Sequence, residues 1–270
     1  MAMSSSTMTG QGKRAKIPAR TLRTDRWWLN PLLNAAALGS FLLYATIRLF
    51  YDKNYFVEDF DYIAPFYSPC LSSDCVPGTS PFGQPIGSLP AWMSPAMIIL
   101  LLPGGFRATC YYYRKSYYRA FWFSPPACAV AEPHKSYTGE TRFPLIFQNA
   151  HRWFFYAAVV IGGILTYDAV KAFTGEDGGF GIGLGTLILW INVILIWAYT
   201  LGCHSCRSLV GGRLKHFSKH PVRYWAWSQV SKLNAKHGLF AFVSMYSIVS
   251  ADLYVWLVAS GTISDLRFYN

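Results

Sequence analysis

Apolar residues along this 270-residue chain are gathered into five long runs, with polar, proline-rich or basic stretches between them. The runs extend from Leu29 to Tyr51, Ala91 to Tyr113, Trp153 to Phe173, Leu184 to His204 and Leu239 to Ser260. At about 1.5 Å per residue, each is long enough to cross the roughly 30 Å of hydrocarbon in a bilayer. Backbone polar groups find no water there, so an open sheet is excluded and every run is predicted to be helical. The fold class that follows is an all-α integral membrane protein with five transmembrane helices. Pro95 and the Pro103-Gly104-Gly105 triplet predict a kink in the second helix. Trp27 and Trp28 mark one interface of the first helix, and Tyr51 and Tyr55 the other, because amphipathic rings settle at headgroup level.

Composition strengthens this reading. The chain is 53% hydrophobic and 14% charged, where a soluble protein carries about a quarter charged residues. A formal net charge of +11 raises nucleic acid as a partner, but the basic residues are sorted by loop. Lys13, Arg14, Lys16, Arg20, Arg23 and Arg26 precede the first run; Arg114, Lys115, Arg119, Lys135 and Arg142 follow the second; Arg207, Arg213, Lys215, Lys219, Arg223, Lys232 and Lys236 follow the fourth. The alternate loops are acidic, with Asp52, Glu58, Asp59, Asp61 and Asp74 in one and Glu176 and Asp177 in the other. That alternation predicts the N-terminus inside and the C-terminus outside, and needs no nucleic acid to explain it. It divides the chain into a basic tail at 1–26 and a transmembrane domain at 27–270, with an outer loop at 52–90 and inner loops at 114–150 and 205–236. The Ser- and Thr-rich tail also suits an organelle transit peptide. Cys70 and Cys75 in the outer loop can close a short disulfide on an oxidising face; two free thiols are the alternative.

Candidate chemistry collects at the inner end. Cys203-His204-Ser205-Cys206 closes the fourth run, and on a continuous helix Cys203 and Cys206 share a face. His151 and His237 open the third and fifth runs from the same side, and Cys110 leaves the second there. Cys128 and His134, in a proline-rich inner loop, can fold over them. Two Cys and two His at one level suit a tetrahedral Zn2+ or a Rieske-type [2Fe-2S] cluster. A haem b between two histidines leaves the thiols unexplained, and a cofactor-free packing role is the plainest alternative.

The segments Cys110-Tyr111-Tyr112-Tyr113-Arg114-Lys115, Pro125-Pro126-Ala127-Cys128, Asn149-Ala150-His151-Arg152, Gly202-Cys203-His204-Ser205-Cys206-Arg207 and Asp252-Leu253-Tyr254-Val255 carry a resemblance. In them, and in its five spans, the chain resembles the membrane-anchor subunit of a respiratory complex II, a succinate:quinone oxidoreductase, of the haem-less class. The resemblance implies docking of soluble flavoprotein and iron-sulfur subunits, a Rieske-type [2Fe-2S] cluster in place of haem, a quinone as substrate, and a bacterial-type plasma membrane in preference to a mitochondrial one. The expected cluster ligands are Cys203, Cys206, His151 and His237, with Cys110, Cys128 and His204 as alternates. Trp153, Tyr111, Arg107 and Arg152 lie at the depth expected for quinone binding. Asp252, an ionisable group within the fifth run, is the candidate for a proton path. A transporter lined by Asp168, Asn192 and Asp252, or a non-redox assembly anchor, are the competing functions.

Overall fold

The computed structural model describes residues 21–133, 141–143, 145–175 and 177–270. Its helices are α1 (Leu29–Phe50), α2 (Pro95–Ala108), α3 (Tyr111–Tyr117), α4 (His151–Lys171), α5 (Leu184–Leu201), α6 (His204–Gly211), α7 (Pro221–Ala235) and α8 (His237–Ala259). Among the described residues, four stretches, Leu29–Phe50, Leu145–Lys171, Leu184–Leu201 and His237–Ala259, are long and apolar enough to cross a membrane. The second run departs from expectation. In place of a continuous helix over Ala91 to Tyr113 it forms a 14-residue helix, which rises only ~21 Å.

Both ends of α2 have a local cause. Pro95 occupies the first helical turn, where its missing N–H costs nothing, and it forces Ser94 into an extended conformation at φ −83° and ψ 154°. At the far end Cys110 is extended, at φ −69° and ψ 133°, and the chain restarts as α3. The fourth run breaks in the same way. α5 ends at Leu201, Cys203 is extended at φ −67° and ψ 146°, and its sulfur accepts a hydrogen bond from the Ser205 N–H at 3.3 Å to open α6. Cys203 and Cys206 therefore do not share the face of one continuous helix.

The helices pack side by side, α5 against α8 most extensively. One end carries α3, α6 and α7 and is rich in basic residues; the other is covered by a cap built from the segment between α1 and α2. Two short strands, β1 (Phe56–Val57) and β2 (Tyr62–Ile63), pair antiparallel in the cap. Tyr62, Phe66, Tyr67 and Cys70 are buried beneath it, and Cys70 and Cys75 are joined by a disulfide. The chain end returns to the cap, where β4 (Arg267–Tyr269) pairs with β3 (Ile182–Gly183). Asp265 accepts the Gly185 N–H at 2.9 Å in the first turn of α5, placing a carboxylate at the positive end of the helix dipole. Beneath the cap, Arg48 and Asp252 form an ion pair at 2.6 Å with both side chains fully buried.

Gly105 and Gly202 allow two close approaches. A side chain at Gly105 would strike the Phe154 ring of α4. One at Gly202 would meet the Ala198 carbonyl at 2.8 Å and His237 Nδ1 at 3.2 Å, so the start of α8 rests on the exposed backbone at the end of α5.

Candidate functional site

Four helix junctions meet at the basic end, and each carries one soft or borderline donor. Cys110 separates α2 from α3, His151 is the first residue of α4, Cys203 separates α5 from α6, and His237 is the first residue of α8. His151 Nε2 lies 3.1 Å from Cys203 Sγ, and His237 Nε2 lies 3.7 Å from Cys110 Sγ. These two pairs, with His204, Thr109, Tyr112, Arg114 and Gln148, line a cavity of about 230 Å3. Among the described residues, no acidic side chain lines it.

The surroundings orient the imidazoles. The Thr109 hydroxyl is 2.9 Å from His151 Nδ1, which leaves Nε2 toward the thiol. Phe106 stacks on His151 with centroids 4.9 Å apart, and Tyr199 stacks on His237 at 5.0 Å, nearly parallel. His237 is buried, and its Nδ1 has no hydrogen-bond partner among the described residues. Thr109, Phe106 and Tyr199 escaped the sequence reading. Only Thr109 carried a signal, a hydroxyl residue immediately before Cys110 at a helix end.

Burial pushes the Cys203 thiol up to about 11 and also raises Cys206. Desolvation thus outweighs the Ser205 hydrogen bonds that favour the charged form, and a thiolate at Cys203 would need a cation within bonding distance. Of the nearby arginines, Arg114 lines the cavity; Arg107 is held by Tyr113 and Ser244 over the Tyr199 ring, and Arg207 donates to Ser231 at 3.0 Å.

The remaining expected residues are dispersed. Cys206 is buried in α6 and does not line the cavity. Cys128 is exposed, and its carbonyl accepts a hydrogen bond from Arg23 at 2.9 Å. His134 lies outside the described residues. Tyr111 lines the cavity, Trp153 is 74% exposed on the bundle surface, and Arg152 donates to Ser208 at 3.1 Å. Arg107, with Phe106 and Tyr199, also lines a second, apolar cavity of about 220 Å3 that reaches Ile99, Pro103 and Leu165. Asp252 is at the capped end, bound to Arg48, and Asp168 there accepts a hydrogen bond from Ser68. Among the described residues, no three His, Cys, Asp or Glu side chains converge closely enough to hold a single metal ion. The donors form two pairs instead.

A bundle of apolar helices with thiols and imidazoles gathered at its basic end defines a polytopic membrane protein. Residues 29–261 match the family described as actinobacterial succinate dehydrogenase subunit SdhC, and the chain belongs to that family. It is therefore an integral protein of a bacterial plasma membrane and a subunit of a succinate dehydrogenase complex, with soluble subunits as partners, and not a catalyst alone. Among solved structures it is similar to a chain of the Mycobacterium smegmatis Sdh1 complex in the apo form, at 62% identity and a TM-score of 0.90, over 96% of this chain and 98% of that one. No curated protein matches significantly.

Proposed function

We propose that this subunit passes electrons from a soluble iron-sulfur subunit, itself supplied by a succinate-oxidising flavoprotein, to a membrane quinone through a [2Fe-2S] cluster held by Cys110, Cys203, His151 and His237. The observation that carries the reading is that two thiols and two imidazoles, Cys110, Cys203, His151 and His237, line a single cavity. Four donors spread around one cavity, with no three converging at one point among the described residues, suit a group with two metal atoms better than a single tetrahedral ion. Two thiols and two imidazoles are the Rieske donor count, with Cys110 taking the part expected of Cys206. When bound, such a cluster supplies a one-electron carrier whose potential is raised by imidazole ligation above that of an all-thiolate centre.

The chain's own residues do the rest. Thr109 fixes the tautomer of His151, as outer-shell partners of ligating histidines do. Phe106 and Tyr199 cover the inner faces of the imidazoles and exclude water. The quinone is assigned to the apolar cavity bounded by Phe106, Arg107 and Tyr199, where the Arg107 guanidinium is the donor available to a carbonyl. The basic end faces the cytoplasm, following the positive-inside asymmetry. There the exposed rings of Tyr111, Trp122 and Trp225 form part of the docking surface.

The test is iron and labile-sulfide analysis of the purified complex together with low-temperature EPR after reduction. His151→Ala combined with His237→Ala should abolish the [2Fe-2S] signal and quinone reduction, while succinate oxidation with an artificial acceptor continues. A double variant that assembles and still reduces quinone at the parental rate would refute the reading.

A further inference from the structure

We propose that the pocket between α6 and α7 binds the phosphodiester of an anionic phospholipid, in the leaflet at the basic end of the bundle. The inference does not depend on the cluster reading. His204, Arg207, Ser208, Gly211, Gly212 and Trp227 line this pocket of about 340 Å3, and among the described residues no acidic side chain joins them. The Arg207 guanidinium lies 5.0 Å over the Trp227 ring, and its Nε donates to Ser231 at 3.0 Å. Its two terminal nitrogens have no hydrogen-bond partner among the described residues, so both remain for an external oxyanion, which a planar guanidinium recognises well. Ser208 Oγ accepts from Arg152 at 3.1 Å, which brings a second guanidinium to the same rim and leaves the Ser208 O–H free to donate.

Position favours a lipid over a soluble anion. Arg152 is the second residue of α4, near the start of a stretch long enough to cross the membrane. Trp153, Tyr156, Val160 and Tyr167 follow it and are exposed. At those spacings they share one face of the helix, with Arg152 at its head. A cation heading an exposed apolar face meets a phosphate with its acyl chains beneath, the chains lying along the rings and Val160 while the phosphate reaches Arg152 and Arg207. Charge supplies the selectivity. Every charged residue between Asp177 and Asp252 is basic, Arg207 among them, so this interval carries no counter-charge of its own and favours a net negative headgroup over a zwitterionic one. A carboxylate from a soluble partner would satisfy the cations without using the apolar face that Arg152 heads.

The test titrates the purified complex, delipidated in neutral detergent, with phosphatidylglycerol and with phosphatidylcholine of the same acyl chains, and counts bound lipid by native mass spectrometry. The parental complex should retain phosphatidylglycerol selectively. Arg207→Gln should weaken that retention about tenfold, the scale of a lost charge-assisted hydrogen bond, and leave phosphatidylcholine retention as it was. Should Arg207→Gln fail to assemble, Ser208→Glu, at an exposed position, sets a like charge against the phosphate and should produce the same loss. Inorganic phosphate in excess should not displace the bound lipid, because the acyl chains contribute to its hold; displacement would make the pocket a free-anion site and overturn the lipid assignment. Equal retention of the two lipids by the parental complex, or parental phosphatidylglycerol retention in an assembled variant, overturns the proposal. So does a variant that keeps its lipid and sheds the soluble subunits, since Arg207 would then serve a partner's carboxylate.

Discussion

Asp252→Ala probes the buried ion pair beneath the cap, where the structure permits a magnitude to be worked out. Asp252 Oδ2 accepts from Arg48 Nε and from the Tyr44 hydroxyl, each at 2.6 Å, and Oδ1 accepts the Phe66 N–H at 3.4 Å. Arg48 also donates to the Tyr51 and Lys53 carbonyls and sits between the Tyr67 and Trp256 rings. One of its terminal nitrogens is already buried without a partner among the described residues. Removing the carboxylate leaves a buried guanidinium uncompensated, which costs about 3–5 kcal/mol. The stranded Tyr44 and Phe66 donors add about 1–3 kcal/mol between them. Replacing both partners, Arg48→Met with Asp252→Leu, removes the charge along with its counter-charge and should recover about 3 kcal/mol or more of that loss. The assay is a double-mutant cycle on the purified complex, unfolded in mixed micelles by titration with denaturing detergent. If the double variant is as unstable as Asp252→Ala, the pair does not tie α1 to α8 and the reasoning fails. Parental quinone reduction by the double variant would also remove Asp252 as a proton carrier, leaving it a structural role.

Thr109→Val should free the His151 ring and lower cofactor retention by about 10–100-fold, a range typical for loss of an outer-shell partner, read as iron per complex after dialysis against a chelator. The Asp74 carboxyl is held below the usual carboxylate range by the Leu89 N–H and the Ser72 hydroxyl. Its folded value is depressed, so its contribution to the cap is present above the unfolded value of about 3.9 and is lost as pH falls through the folded one. The protection factor of the Leu89 amide, its exchange rate relative to the intrinsic rate at each pH, should fall on that descent and should stay constant in Asp74→Asn. Impermeant thiol reagents applied to sealed, right-side-out vesicles should leave Cys128 unlabelled and reach Cys70 and Cys75 only after an impermeant reductant; labelling of Cys128 would reverse the orientation.

The four runs that became α1, α4, α5 and α8 were legible because hydropathy sustained over about twenty residues has few alternatives in a chain. The second run misleads because its apolar character continues through Tyr111, Tyr112 and Tyr113, while the backbone is decided by Pro95 at one end and by extended Cys110 at the other. The meeting of cysteines and histidines at one end followed from counting crossings. Which cysteine joins depends on the turn at Gly202 and Cys203, a dihedral event without a hydropathy signature, and it leaves Cys206 off the cavity in favour of Cys110. Arg48 was within reach of the sequence, as a basic residue in the last turn of an apolar run whose partner had to be a carboxylate in another. The packing of Tyr62, Phe66 and Tyr67 inside the cap was not, since their loop is rich in Pro, Gly and Ser and reads as solvated.

The placement of the four donors at helix junctions also dictates when the site comes into being during synthesis. Cys110 emerges first and His237 last, separated by 127 positions and by every intervening membrane crossing. Until the final helix has been released and has settled against α5, the cavity lacks one wall and its fourth donor. Under the cluster reading, the full set of ligands for the group is therefore present only in a finished bundle.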